Sequence, residues 1–188
     1  KCKIEKTKYV LIGLRDLSKY YSPDNIVKRH DSIVAFLIEH ALKHNLKLVF
    51  LPIDSKKDKE VNQKIANKIL EQNAALVVEL VNNTSYGEKI KLISGAELNI
   101  TERLHSIVIS KFLNIPCIAI SYSPKIDRFF AEIGDDRLIS YEDDLSEIKL
   151  GELADAVLKS KSNSINVEIK DRLTKDAAKN IEIIGKYL

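Results

Sequence analysis

The sequence predicts an α/β protein with a doubly wound, mostly parallel sheet of about six strands. Short apolar runs rich in β-branched residues alternate along the chain with amphipathic stretches of helical period. The apolar runs, such as 48–51 and 118–120, are nearly continuous, which is typical of strands covered by helices on both faces. Repeated strand–helix units of this length favour parallel pairing through right-handed crossovers.

Strands and helices are predicted in alternation along the chain. Enrichment in Val, Ile, Leu and Tyr predicts strands at 9–14, 46–52, 75–81, 98–101, 116–122 and 137–140. Apolar residues at helical spacing predict helices at about 25–44, 59–73, 86–96, 102–113, 124–133, 146–160 and 165–188. Ser123 followed by Pro124 favours a helix start, Gly134 a helix end, and Ser146 a helix cap. This order of elements predicts a Rossmann-like domain.

Composition predicts one globular domain over residues 1–188. The chain is 45% hydrophobic and 30% charged, and no linker-like segment interrupts it. The formal net charge of +3 comes from interspersed Lys and Glu rather than a basic stripe, so we expect no nucleic-acid binding. No apolar run is long enough to cross a bilayer. The chain has two cysteines, Cys2 and Cys117. Cys117 lies in an apolar run and is interpreted as a buried thiol. Because free thiols persist in a reducing cytosol, we expect a cytoplasmic protein.

Ligands of such sheets bind beyond the carboxyl ends of the strands. The first predicted strand is not followed by Gly-x-Gly-x-x-Gly, so a dinucleotide site is not predicted. The chain also lacks a Walker A sequence and the Gly-x-Ser-x-Gly elbow of α/β hydrolases. The remaining candidates are the charged and titratable residues that directly follow the strands.

Five such residues are candidates for a site: Arg15 after the first strand, Arg103 and His105 after the fourth, and Tyr122 and Lys125 after the fifth. The helix beginning near residue 102 is predicted to bury an apolar face of Leu104, Ile107, Val108 and Phe112. Arg103 and His105 would then lie in its first turn, where an arginine and free backbone N–H groups suit an anion. A simpler alternative stays open from geometry alone: Arg103 pairs with Glu102 or Glu97, and His105 is merely exposed.

Other polar residues are predicted to have no chemical role. His40 and His44 are four apart on a helix but lack a third ligand nearby, so they are interpreted, like His30, as surface histidines. No metal and no cofactor are therefore predicted. The adjacent carboxylates at 143–144 are predicted to lie in a solvated loop, and the charged run at 56–60 to form a solvated helix start.

Two segments carry a resemblance to a known family. Residues 101–106 read Thr-Glu-Arg-Leu-His-Ser, and residues 114–125 read Asn-Ile-Pro-Cys-Ile-Ala-Ile-Ser-Tyr-Ser-Pro-Lys. Together they resemble the polysaccharide pyruvyl transferase pattern of Arg-Leu-His, a helix, and an Ile-Pro strand ending in Tyr-x-Pro-Lys. The Gly-Leu-Arg at 13–15 is similar, more loosely, to the family's arginine after an earlier strand. The resemblance covers most of this chain but only about half of a typical member.

The resemblance implies the C-terminal half of a two-domain, glycosyltransferase-B-like enzyme whose site lies between the halves, with the N-terminal half as its partner. It implies transfer of a pyruvyl group from phosphoenolpyruvate to two hydroxyls of a sugar in a polysaccharide or lipid-linked oligosaccharide precursor. The reaction forms a ketal and releases phosphate. A lipid-linked precursor would be compatible with peripheral contact of the enzyme at the inner face of the membrane. By the same resemblance Arg15, Arg103, Lys125 and Tyr122 bind phosphoenolpyruvate, while His105 and Arg103 are catalytic.

His105 is the predicted proton donor and acceptor. A helix N-terminus disfavours an imidazolium by roughly 0.3–1 kcal/mol. A bound anion at about 4 Å favours it by about 4 kcal/mol at an effective dielectric constant of about 20. We therefore expect His105 to gain a proton when phosphoenolpyruvate binds. Two alternatives stay open: a glycosyltransferase domain that uses a nucleotide sugar, and a non-catalytic flavodoxin-like binding domain.

Overall fold

The computed structural model describes residues 8–53, 56–140, 143–160 and 165–185. Six short strands lie at its centre: β1 (Tyr9–Gly13), β2 (Lys47–Phe50), β3 (Val78–Leu80), β4 (Leu98–Thr101), β5 (Cys117–Ile120) and β6 (Leu138–Ile139). They form one sheet in the order β3-β2-β1-β4-β5-β6, and every pairing is parallel. The predicted fold class and the six predicted strands are confirmed.

In the described part of the chain, seven helices connect and follow the strands: α1 (Pro23–His44), α2 (Lys56–Gln72), α3 (Tyr86–Ser94), α4 (Leu104–Phe112), α5 (Pro124–Ile133), α6 (Glu147–Lys159) and α7 (Val167–Gly185). All seven were predicted, although residues 186–188 of the last prediction lie outside the described residues. The caps form largely as expected. Ser146 Oγ accepts a hydrogen bond from Lys149 N at 3.2 Å, and Gly134 ends α5 at a left-handed φ of 66°. Ser123 precedes Pro124 without making a side-chain cap bond.

Helices cover the sheet on both faces, which explains why the sequence of β1 does not alternate between apolar and polar residues. Val10 and Ile12 are fully buried against a layer that contains α1, α2 and α6. Leu11, on the other face, is buried in a separate cluster with Ile93 of α3. Since successive side chains of a strand point to opposite faces, both faces must be apolar when both are covered.

The strand order places a crevice at the centre of the sheet. The chain runs from β1 outward to β3, then returns to the other side of β1 to add β4, β5 and β6. Such a reversal leaves an opening between the carboxyl ends of the two strands at the switch, here β1 and β4. A flavodoxin-like sheet has the order 2-1-3-4-5, so that alternative is wrong as a description of this fold.

Helix α4 departs from its predicted form. It begins at Leu104 rather than near residue 102, and of its predicted inner face only Ile107 is fully buried. The buried positions beside it are polar. Asn99 of β4 donates hydrogen bonds from Nδ2 to Ser106 Oγ at 3.0 Å and to Ser110 Oγ at 2.7 Å. Because a buried amide must be hydrogen-bonded, α4 turns its hydroxyl groups rather than Val108 toward the strand.

Two further expectations concern the cysteines and a membrane-spanning helix. Cys117 is fully buried, and burial raises the pKa of its thiol to about 11, which confirms the interpretation as a buried thiol. Cys2 lies outside the described residues. None of the helices in the described ranges is long and apolar enough to traverse a bilayer.

Candidate active site

The carboxyl ends of β1 and β4 meet closely at the switch point. Gly13 O accepts hydrogen bonds from Thr101 Oγ1 at 3.0 Å and from Glu102 N at 3.1 Å. A Cβ on Gly13 would lie 2.9 Å from Thr101 Oγ1, so any larger residue would force the Thr101 side chain out of its present position. This contact brings the segments after the two strands, which carry Arg15 and Arg103, to the same opening of the sheet.

Arg15 and Lys125 lie against the same aromatic ring. The Arg15 guanidinium donates a hydrogen bond from Nη1 to Tyr122 Oη at 2.8 Å, and its Cζ lies 4.5 Å from the Tyr122 ring centroid. Lys125 Nζ lies 5.4 Å from that centroid, and the Tyr20 ring 5.1 Å from it. Within the described residues neither Arg15 nor Lys125 pairs with a carboxylate. Two cations without acidic partners thus flank the buried ring of Tyr122. The face of an aromatic ring attracts cations.

Glu102 is buried beneath this cluster. Its Oε2 accepts a hydrogen bond from Arg15 N at 2.8 Å, and its Oε1 lies 3.8 Å from Arg29 Nη2. Burial raises the pKa of the Glu102 carboxyl to about 7, and the Arg15 N–H and the Arg29 charge offset only part of that effect. Arg29 Nη2 also donates to Ser121 O at 3.5 Å. Glu102 therefore joins the ends of β1, β4 and β5 to α1 and can hold a proton near neutral pH.

Helix α2 fixes the opposite side of the opening. Arg103 is 8% exposed and forms an ion pair with Asp58, which is fully buried. Asp58 Oδ1 also accepts a hydrogen bond from Asp16 N at 3.2 Å. One turn later Asn62 accepts from Leu14 N at 3.1 Å and donates to Leu14 O at 2.9 Å. Asp58 thus holds both the Arg103 side chain and the backbone after β1, and Asn62 holds that backbone at a second point.

His105 is exposed in the first turn of α4, and Arg103 is the residue that precedes the helix. Across the ranges that the structure describes, the His105 imidazole makes no hydrogen bond or ion pair. The structure therefore brings Arg15, Tyr122 and Lys125 together around one ring, and it places Arg103 and His105 at the neighbouring strand end. Their roles in binding and catalysis stay predictions.

Four residues of this site were missed from the sequence: Arg29, Asp58, Asn62 and Glu102. For three of them a signal was present. Asp58 and Asn62 occupy the same stripe of α2 as the buried Ile65 and Ile69, and Arg29 occupies the stripe of α1 that continues at Ile33 and Leu37. A polar residue on an apolar helix stripe must find a buried partner. The expectation of a solvated helix start at 56–60 is accordingly wrong at Asp58.

The interpretation of the histidines as surface residues is wrong for two of them. His30 is 8% exposed and His40 is 7% exposed, and burial lowers the pKa of each to about 4. Both lie on the face of α1 that packs inward, whereas His44 is exposed. In the described part of the chain, no group of three His, Cys, Asp or Glu residues could hold a metal ion.

The fold is similar to one half of several solved sugar-nucleotide enzymes. UDP-GlcNAc 2-epimerase of Methanocaldococcus jannaschii, solved with UDP-GlcNAc and UDP, is 17% identical, with a TM-score of 0.60 over 92% of this chain and 45% of the epimerase. Escherichia coli ADP-heptose lps heptosyltransferase II is 15% identical, with a TM-score of 0.56 over 83% of this chain and 48% of the transferase. The chain thus spans less than half the length of these proteins, and the likeness confirms the glycosyltransferase-B-like fold.

Sequence comparison identifies the family. No curated protein sequence matches this chain. The family model for polysaccharide pyruvyl transferase matches residues 3–124. The matched range includes Arg15, Arg103, His105 and Tyr122, and it ends one residue before Lys125. Because it covers well over half of the chain, and because the fold agrees, this chain belongs to the polysaccharide pyruvyl transferase family.

Proposed function

We propose that this chain is the phosphoenolpyruvate-binding half of an enzyme that forms a pyruvyl ketal on a sugar of a polysaccharide or lipid-linked oligosaccharide precursor. The observation that supports it most strongly is the pair of cations, Arg15 and Lys125, that flank Tyr122 without a carboxylate partner among the described residues. They lie beyond the carboxyl ends of β1 and β5, on the edge of the sheet where ligands of this fold class bind.

Phosphoenolpyruvate carries a phosphate and a carboxylate, and the site offers cations for both. The planar guanidinium of Arg15 suits bidentate binding of either anion, and the Lys125 ammonium supplies a point charge. Tyr122 Oη accepts from Arg15, so its own proton is free to point to a ligand oxygen. Arg103 is positioned in advance by Asp58. A cation about 4 Å from the ligand contributes about 4 kcal/mol at an effective dielectric constant of about 20.

His105 supplies the proton in this proposal. When bound phosphoenolpyruvate has favoured its imidazolium form, His105 donates a proton to the methylene carbon and leaves an oxocarbenium-like centre at the adjacent carbon. A first sugar hydroxyl adds to this centre and loses its proton. A second hydroxyl then displaces the phosphate, which leaves with the remaining proton. One phosphoenolpyruvate and one diol therefore give one ketal and one phosphate.

In this proposal the N-terminal half makes most of the contacts to the acceptor sugar. The chain spans 45% of the first epimerase and 48% of the heptosyltransferase, so a second domain of similar size would complete the two-domain shape. The opening at β1 and β4 would face that domain. We place the assembled enzyme in the cytoplasm, with its acceptor presented at the inner face of the membrane.

The test uses the complete enzyme and two histidine variants. His105→Ala should abolish phosphate release from phosphoenolpyruvate while binding of phosphoenolpyruvate stays measurable by calorimetry, because the arginines remain. His44→Ala removes another exposed histidine, on α1, and should leave both properties unchanged. Arg15→Gln should weaken phosphoenolpyruvate binding itself, by roughly tenfold or more for a lost charge-assisted contact. Full activity in His105→Ala, or binding of UDP-GlcNAc in place of phosphoenolpyruvate, would refute the proposal.

A further inference from the structure

A second set of cations lines a separate cavity at the same edge of the sheet. The cavity has a volume of about 280 Å³ and lies beyond the carboxyl ends of β2 and β3. Among the described residues, its lining consists of Pro52, Ile53, Lys56, Lys59, Val81, Asn82, Asn83, Thr84 and Lys89. Three of these nine residues carry a positive charge and none carries a negative one. The cavity is thus basic, and its remaining polar side chains are amides and a hydroxyl.

The three lysines of this cavity carry charges that no described carboxylate neutralises. In the described residues Lys56, Lys59 and Lys89 form no ion pair. By contrast, seven other lysines each pair with a carboxylate: Lys8 with Glu97, Lys47 with Glu79, Lys57 with Asp16, Lys68 with Asp31, Lys111 with Asp135, Lys149 with Asp143 and Lys159 with Asp155. Among the described residues, no carboxylate lies in the lining of this cavity.

Lys89 is held in place rather than left to move freely in solvent. Its Nζ donates a hydrogen bond to Ile53 O at 2.7 Å, which fixes the ammonium of an α3 side chain beside the end of β2. Lys56 and Lys59 approach the same space from the start of α2. Cations gathered around one concave surface repel each other and raise the local concentration of anions. An anion bound between them would relieve the repulsion and gain hydrogen bonds from the Asn82 and Asn83 amides.

We propose that this lysine cavity, formed by Lys56, Lys59 and Lys89, binds the phosphate or diphosphate group that links the acceptor sugar to its carrier. Identification of the anion as part of the acceptor rests on the proposed function; binding of the anion itself does not. β2 is the direct neighbour of β1, so the cavity and the Arg15 cluster open on the same edge. An acceptor bound by its phosphate at β2 and β3 would extend its sugar toward phosphoenolpyruvate at β1 and β4.

The test measures binding of inorganic pyrophosphate to this chain by amide and lysine NMR. In the unmodified chain pyrophosphate should shift the resonances of Asn82, Asn83 and Lys89 in a saturable manner. The double variant Lys59→Gln/Lys89→Gln should bind pyrophosphate at least tenfold more weakly. The matched control is Lys64→Gln/Lys91→Gln, which alters exposed residues of the same two helices and removes the same charge. It should bind pyrophosphate as the unmodified chain does.

Two outcomes would overturn the proposal. The first is the absence of saturable shifts at Asn82, Asn83 and Lys89 in the unmodified chain, a result that needs no variant to fold. The second is equal weakening in the double variant and its control, which would indicate an unspecific charge effect. Phosphoenolpyruvate affinity, measured on the same samples, should be unchanged in the double variant. If the unmodified chain does not bind phosphoenolpyruvate, the proposed function is refuted, whereas the pyrophosphate result still stands.

Discussion

Replacement of Glu102 by Gln tests the buried carboxyl that joins the three strand ends. Gln keeps the size of the side chain, and its amide oxygen can still accept the hydrogen bond from Arg15 N, which is 2.8 Å long in the structure. The substitution removes the ability to ionise while leaving the packing in place. Its effect on stability should therefore depend on pH.

The sign and size of that dependence follow from the pKa of Glu102. Burial raises this pKa from 4.5 to about 7 in the folded protein. Between those values the folded state holds a proton that the unfolded state has lost, so the free energy of unfolding falls as the pH rises. The full interval corresponds to roughly 3 kcal/mol. Glu102→Gln does not undergo this loss, so its stability relative to the unmodified protein should increase by roughly 3 kcal/mol from pH 4 to pH 8.

Urea unfolding at a series of pH values measures the difference directly. Titration of other groups affects both proteins alike and largely cancels. Glu88→Gln is an informative control, because its exposed carboxylate accepts hydrogen bonds from Ser85 and has a lowered pKa. Its stability relative to the unmodified protein should fall as the pH rises toward 4.5, the ordinary pKa of a glutamate, and should stay level above that pH. A Glu102→Gln difference that stays constant between pH 4 and pH 8, or that decreases, would refute the reasoning.

Two other substitutions test how the site is held together. Asp58→Asn should lower the free energy of unfolding by about 3–5 kcal/mol, because it leaves the Arg103 charge buried without its carboxylate; a loss below about 1 kcal/mol in urea unfolding would contradict this. Gly13→Ala should cost about 1–3 kcal/mol, because the new Cβ would lie 2.9 Å from Thr101 Oγ1. Gly87→Ala is the matched control, since a Cβ at that helical position meets no atom within 4 Å, and it should stabilise the protein by about 0.4–1 kcal/mol.

The sheet could be predicted because its signals are local. β4 was predicted with the bounds 98–101 that the structure shows, since an apolar run with β-branched residues needs no further context. The start of α4 could not be predicted in the same way. Thr101 Oγ1 accepts a hydrogen bond from Arg103 N at 3.1 Å, which keeps Arg103 extended before the helix begins. The same hydroxyl also donates a hydrogen bond to Gly13 O, 88 residues away in sequence, and that contact exists only in the folded chain.

The positions of the cations in the candidate site could be predicted from the sequence, whereas the carboxylates beside them could not. Arg15, Arg103, Tyr122 and Lys125 directly follow strands, so the carboxyl-edge rule was sufficient to find them. The partner of Arg103 is Asp58, 45 residues away, within a run of lysines whose composition indicates only a solvated surface. Pairing over such a distance is a property of the folded chain. The helical stripe that Asp58 shares with the apolar residues of α2 was the available signal.

The most direct test of the proposed site is a phosphoenolpyruvate titration of this chain, followed by NMR of the arginine Nε–Hε groups and the histidine ring protons. Binding at the switch point predicts saturable shifts of Arg15, Arg103 and His105, together with gain of a proton by the His105 ring when phosphoenolpyruvate binds. Unchanged resonances at Arg15 and Arg103 under saturating phosphoenolpyruvate, or a His105 ring that loses its proton on binding, would contradict the account.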